Sequence, residues 1–162
     1  MKLIVCVFLM FISFKSCDKK QLASKNISEV ITKELAEPKM QADMKISYRA
    51  ATRGFYLQIW IEGDSIKYTS DYALKVISIH KMPTEEKESL MQLMGGFDEK
   101  TLPELEVSST RFQFDGAAMA NLEITNGETV YKSNAFDHGK PPKSIISIVE
   151  KILSIKTMFK KQ

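Results

Sequence analysis

The fold of this chain is decided by the stretch Phe55-Tyr56-Leu57-Gln58-Ile59-Trp60-Ile61-Glu62, in which apolar residues alternate with more polar ones. Successive side chains of a β-strand point to opposite sides of the sheet, so this alternation predicts a strand with one wholly apolar face. Its other face would carry Tyr56, Gln58 and Trp60. Gly63-Asp64 follows at once, and this pair suits a tight turn into a second strand over residues 65–70. The stretch therefore predicts an antiparallel hairpin.

A second hairpin is predicted over residues 120–133. Ala120, Leu122 and Ile124 alternate with polar residues, and Asn126-Gly127 supplies a turn into the partner strand. Further strand candidates are residues 111–115, with Phe112 and Phe114 facing together, and more weakly residues 46–50 and 75–80.

Two helices are predicted beside the hairpins. The first begins at Pro83 or Thr84 and ends at Gly95-Gly96, since proline favours a helix start and glycine a helix end. The second follows Pro141-Pro142, and its apolar residues recur at spacings of three and four. Together the elements predict an α+β fold: a small antiparallel sheet of hairpins with a central helix and a C-terminal helix packed on one face. No internal repeat is visible, so residues 45–162 are expected to form a single domain.

The N-terminus has the pattern of an export signal. Lys2 provides a positive start, and the 12 residues from Leu3 to Phe14 are apolar except for Ser13. A membrane-spanning helix needs about 20 apolar residues, so this stretch is too short to cross a bilayer. We expect residues 1–16 to be a signal peptide that is removed before Cys17.

The segment Phe14-Lys15-Ser16-Cys17 resembles the lipobox of bacterial lipoproteins. It departs from the usual pattern at Phe14 and Lys15, and relaxed lipoboxes of this kind are similar to those of Bacteroidota. The resemblance implies a lipid on Cys17 and an exported protein anchored to a bacterial membrane, on the periplasmic side or at the cell surface. Residues 17–44 would then be the tether between lipid and domain. Ordinary secretion with cleavage nearby is the alternative.

Charge and cysteine content narrow the class of protein further. Removing Lys2 and Lys15 with the signal reduces the 23 basic residues to 21, against 20 acidic ones. A nearly neutral domain without a basic stripe is not expected to bind nucleic acid. Cys6 would leave with the signal, and Cys17 alone cannot form an internal disulfide, so the domain must be held together by its core.

One loop gathers chemically active side chains. Asp137, His138 and Lys140 lie together immediately before Pro141-Pro142. Asp137 could orient His138 for proton transfer, or both could help to hold a metal ion. The alternative, which we favour, is structural: Asp137 bonds the loop backbone, Gly139 takes a positive φ and the prolines fix the helix start.

The rest of the sequence favours no enzyme class. His80 and His138 are the only histidines, and no ligand set has metal-binding spacing. No serine lies in a Gly-x-Ser-x-Gly turn, and Gly95-Gly96 follows a helix where a phosphate-binding loop would precede one. We therefore expect neither a catalytic site, nor a metal, nor a cofactor.

The polar side of the first strand is the best candidate for a binding surface. Tyr56, Gln58 and Trp60 would lie in a row with Arg53 at the entrance of the strand, and aromatic residues and arginine are the usual anchors of protein interfaces. The alternative, which we favour for Trp60, is burial beneath the tether or a helix, since large aromatics are mostly buried.

The order of several motifs resembles the emfourin-type protease inhibitors. These motifs are Arg53-Gly54-Phe55 leading into a strand, a central helix, the strand Ala120-Asn121-Leu122-Glu123-Ile124 with its Asn-Gly turn, and a closing helix after a proline loop. The resemblance covers roughly residues 45–155 in architecture and carries over no inhibitory residue.

Together these observations predict a lipid-anchored, non-enzymatic envelope protein whose domain binds another protein, as a protease inhibitor or an immunity factor would. A hydrolase or metal-dependent enzyme is the rival hypothesis, and it requires Asp137 and His138 to converge with Asp115 or His80 in a cleft. A purely structural envelope component is the third.

Overall fold

The computed structural model describes residues 44–159. The predictions for the signal peptide 1–16, for lipidation at Cys17 and for the tether up to residue 43 lie outside this range. Nine main elements follow in chain order: β1 Lys45–Thr52, β2 Phe55–Glu62, β3 Ser65–Thr69, β4 Ser78–Lys81, α1 Thr84–Gly95, β5 Met119–Asn126, β6 Thr129–Lys132, β7 Phe136–Asp137 and α2 Ile146–Met158. Short 3₁₀ helices lie at Glu99–Glu104, Arg111–Phe114 and Lys143–Ile145.

The described strands form one antiparallel sheet in the order β4-β3-β2-β1-β5-β6, and β7 pairs with the other end of β5. The central pairing is in full register, with Tyr48 of β1 opposite both Ile59 of β2 and Leu122 of β5. This register brings the apolar residues of three strands onto one face, because each strand alternates with the same phase. The expectation of an α+β fold with an antiparallel sheet, a central helix and a C-terminal helix is confirmed.

The core lies on this apolar face of the sheet. Buried residues of β1, β2 and β5 form a single cluster with those of the two helices, among them Leu90 and Met94 of α1 and Ile152 and Ile155 of α2. The helices are also joined to each other by an ion pair at 2.7 Å between Glu86 and Lys151. The core holds about twenty apolar residues, which accounts for a stable domain without a disulfide.

The segment 111–115 corrects one prediction, because it is not a strand. Residues 111–114 form a 3₁₀ helix whose first backbone N–H groups, those of Arg111 and Phe112, donate to the carboxylate of Asp137. Phe114 is 83% exposed and Asp115 is left-handed at φ 54°, so the alternation in sequence does not reflect a buried face. A distant carboxylate, which no local pattern reveals, stabilises the helical turn.

Two boundaries also differ from the prediction. Asn126 pairs with Thr129, so the two turn residues of the second hairpin are Gly127-Glu128, with Gly127 at φ 60°. β4 begins only at Ser78, because Asp71 accepts hydrogen bonds from the backbone of Ala73 and Lys75 and holds the preceding residues in a loop. The first hairpin has the predicted turn at Gly63-Asp64, with Gly63 at φ 59°.

Candidate functional site

The second face of the sheet carries the predicted binding residues. We define the open face as the outward side chains Ser47 and Arg49 of β1, Tyr56, Gln58 and Trp60 of β2, and Lys67 of β3. All six are half-buried, and none belongs to the core cluster. Among residues 44–159, Trp60 therefore belongs to a partly exposed surface and not to the core.

Side chains of the open face are joined by hydrogen bonds across two strands. The Tyr56 hydroxyl donates to Gln58 Oε1 at 3.2 Å, and Gln58 Nε2 donates to Ser47 Oγ at 2.8 Å. The guanidinium of Arg49 lies 5.7 Å from the centre of the Tyr56 ring, within reach of a cation–π interaction. These contacts hold an aromatic and an arginine in fixed positions, which lowers the entropy cost of binding a partner.

Arg53 does not join this group. It lies exposed in the turn between β1 and β2, where Gly54 takes φ 77°. Arg49 is the arginine that contacts Tyr56, and it is not among the binding residues predicted from sequence. Arg49 lies opposite Gln58 in the pairing of β1 with β2, which brings it onto the same face as Tyr56. The sequence of either strand alone does not determine this register.

An exposed apolar loop lies beside the open face. We define the apolar loop as residues 70–77, which expose Tyr72 to 73%, Val76 to 69%, and also Leu74 and Ile77. The Tyr72 ring meets the Tyr56 ring edge-on at 5.2 Å, so the loop and the open face are continuous. This loop was not predicted from sequence, because Val76 and Ile77 fall in the weak strand prediction over residues 75–80 and no pattern singles out Tyr72 or Leu74.

The apolar loop is held in shape by polar contacts at its base. Asp71 accepts hydrogen bonds from the backbone N–H groups of Ala73 and Lys75, and these bonds lower the pKa of Asp71 below its usual value. Thr69 Oγ1 donates to the carbonyl of Val76, and a cavity of about 340 Å³ lies between the base of the loop and β3. These polar contacts fix the conformation of the loop, and in this conformation its apolar side chains are exposed.

Asp137 has a structural environment. It is 1% exposed, and its carboxylate accepts hydrogen bonds from Ser109 Oγ and from the backbone of Arg111 and Phe112. Burial alone would raise the pKa of Asp137, but these hydrogen bonds and the nearby charge of Arg111 hold it below its usual value. Within residues 44–159 the hydrogen-bond donors to this carboxylate all belong to residues 109–112, so Asp137 does not orient His138.

His138 contacts Tyr48 of β1 and Phe55 of β2. Its Nδ1 lies 2.6 Å from the hydroxyl of Tyr48, and its ring packs against Phe55 at 5.4 Å between ring centres. Burial raises the pKa of Tyr48, while burial and the charge of Lys156 lower the pKa of His138. At neutral pH the phenol therefore keeps its proton and the imidazole is uncharged, and the hydrogen bond between them satisfies the one polar side-chain atom of a fully buried tyrosine.

The remaining residues of the enzyme hypothesis have separate positions. Lys140 is exposed, and its backbone N–H closes the turn onto the carbonyl of Asp137. The His80 ring stacks between Tyr68 and Phe159, whereas Asp115 is exposed. Within residues 44–159 no group of three or more histidine, cysteine, aspartate or glutamate side chains could hold a metal ion.

Comparison with known proteins adds no relative. No protein-family model matches the sequence, and no curated protein matches it significantly. The similarity to emfourin-type inhibitors and to Bacteroidota lipoproteins therefore stays a prediction. In the part of the chain that the structure describes, no helix has the length and apolar character needed to cross a membrane.

Proposed function

We propose that this chain is an exported, lipid-anchored protein of a bacterial envelope whose domain binds another protein through the open face and the apolar loop. The anchoring part rests on the signal-like residues 1–16 and on the lipobox-like segment that ends at Cys17. The binding part rests on the surface of the domain.

The observation that supports the binding proposal is that the aromatic residues of the open face and the exposed residues of the apolar loop form one continuous surface. Tyr56 on the open face meets the apolar loop through Tyr72, and Trp60 lies further along the same face of β2. Interfaces are enriched in aromatic residues and arginine, and contiguous exposed apolar patches on soluble proteins commonly mark a binding site. The combination therefore supports protein recognition more strongly than either feature alone.

The point at which the tether would join the domain is compatible with an anchored protein that binds a partner. The described chain enters β1 at Lys45, which pairs with Glu62 next to the Gly63-Asp64 turn. Tyr56 pairs with Ala51 near the other end of β1, roughly 20 Å from Lys45 at about 3.3 Å per residue, and the apolar loop lies at the same end. A tether that leads from a lipid to Lys45 would therefore join the domain at the end of the sheet opposite the proposed binding surface.

The proposal is tested by capture of envelope proteins on the purified domain-bearing chain, followed by titration of the identified partner as a purified protein. We expect the double variant Tyr56→Ala, Trp60→Ala to weaken that partner's binding by at least about 2 kcal/mol, as loss of interface anchors does. The matched control is Ser147→Ala, Glu150→Ala, which alters exposed positions of α2. Equal binding by both double variants would contradict the proposal.

The identity of the captured partner also decides between the narrower forms of this function. A protease as partner would make the protein an inhibitor, and a toxin would make it an immunity-type protein. No contact among residues 44–159 favours the alternative of a hydrolase, because Asp137 is engaged by residues 109–112 and His138 by Tyr48.

A further inference from the structure

Arg49 is the one charged residue of the open face that has no oppositely charged partner within residues 44–159. Within residues 44–159 it forms no ion pair, and its buried Nε atom has no hydrogen-bond partner. The neighbouring lysines differ in this respect: Lys45 and Lys67 lie 3.8 and 2.9 Å from Glu62, and Lys132 lies 2.7 Å from Glu123. An arginine that is half-buried without a carboxylate is costly, because partial burial removes water from a charge.

The surroundings of Arg49 suit the binding of an anion. In the register of the sheet it lies between Gln58 of β2 and Asn121 of β5, two neutral amides that neither neutralise nor repel a bound carboxylate. Tyr56 contacts the guanidinium and restricts its orientation. A planar guanidinium can bind both oxygens of a carboxylate at once, so a positioned arginine is well suited to this group.

The charges on and around the open face also favour an acidic partner. Lys45 and Lys67 share the single carboxylate of Glu62, so these three side chains keep one positive charge in excess. Arg49 adds a second. A partner segment that carries negative charge would therefore complement the surface, whereas a basic segment would be repelled.

We propose that Arg49 binds an aspartate or glutamate side chain of the partner protein, presented on a segment whose neighbouring apolar residues contact Trp60 and Tyr72. This inference rests on the proposed function and specifies the chemistry of its partner. It assigns Arg49 the role of a specificity-determining residue, while the aromatic residues and the apolar loop supply contact area.

Selection of random displayed peptides of about a dozen residues on the purified full chain tests this inference. We expect the selected peptides to share one acidic position next to apolar residues. Their affinity should fall at least about tenfold with Arg49→Met, which keeps the aliphatic stem, and by less with Arg49→Lys, which keeps the charge. Lys132→Ala is the matched control on the same face, and thermal unfolding verifies that every variant is folded.

The outcomes separate this inference from the broader proposal. Peptides that depend on Tyr56 and Trp60 but lack an acidic position, or that bind Arg49→Met unchanged, would overturn the inference and leave the binding face intact. If no selected peptide binds the wild type better than the Tyr56→Ala, Trp60→Ala variant, both proposals are wrong. If Glu29→Gln, Glu34→Gln and Glu37→Gln together raise peptide affinity, the carboxylate belongs to this chain's own N-terminal segment, and the partner inference is wrong.

Discussion

Asp137 connects the 3₁₀ helix 111–114 to the sheet. Replacing it by alanine would leave the backbone N–H groups of Arg111 and Phe112 and the hydroxyl of Ser109 without their acceptor. We expect Asp137→Ala to lower the melting temperature by several degrees in a calorimetric scan. Glu106→Ala, at an exposed position shortly before this segment, should leave it nearly unchanged. Equal melting temperatures for the two variants would show that the carboxylate has no structural role.

The same carboxylate predicts a pH dependence of stability. Because the pKa of Asp137 is lower in the folded protein than its usual value, the unfolded chain binds the proton more tightly in acid. The stabilisation is therefore fully present above about pH 3.9 and is lost as the pH falls through the native pKa. Urea unfolding between pH 6 and pH 2 should show a shallower acid decline for Asp137→Asn than for the wild type. Parallel curves would contradict this assignment.

The candidate site was predictable only in part at the level of single residues. Tyr56, Gln58 and Trp60 follow from the alternation of one strand, and the structure places them together. Arg49 depends on the pairing of β1 with β2, which involves two segments whose register is set by the whole sheet. The carboxylate of Asp137 has structural partners, but these lie in residues 109–112 and not in its own loop as the favoured alternative expected, and they are too distant in the chain for a local pattern to reveal.

At the scale of elements, the first hairpin depends on its turn. Gly63 has φ 59°, a left-handed conformation that costs a residue with a side chain about 1 kcal/mol or more. Gly63→Ala should therefore reduce the free energy of unfolding by about that amount. Gly96→Ala is a matched control, because Gly96 has φ −91° and an added Cβ would meet only ordinary contacts at 3.8 Å. We expect it to be neutral or slightly stabilising, and equal losses in urea unfolding would argue against this account of the turn.

Elements with a strong apolar period were predictable, and those fixed by polar contacts were not. β2 and α2 bury one regular set of side chains, and local sequence determines that periodicity. The segment 111–115 has the same alternation without a buried face, because its backbone is bonded to Asp137. The apolar loop misled the prediction in a similar way, since Asp71 holds it away from the sheet. In both cases a carboxylate competes successfully with strand pairing for the backbone N–H groups.

At the scale of the whole molecule, the anchoring proposal predicts a lipid on the mature N-terminus. The protein from a bacterial host should carry an added mass that corresponds to acyl chains and should partition into detergent. The Cys17→Ser variant should stay in the aqueous phase, because it lacks the sulfur atom that would carry the lipid. Detection of both proteins as unmodified and aqueous would favour ordinary secretion.

Site-specific photo-crosslinking in the producing cells would show whether the open face and the apolar loop bind another protein. A photoreactive phenylalanine at Tyr72, in the apolar loop beside Tyr56, should give one discrete crosslinked product whose partner can be identified. The same group at Glu150, on the exposed side of α2, should give none, and Trp60→Ala should reduce the product at Tyr72. Equal crosslinking from both positions, or none from Tyr72, would contradict the account.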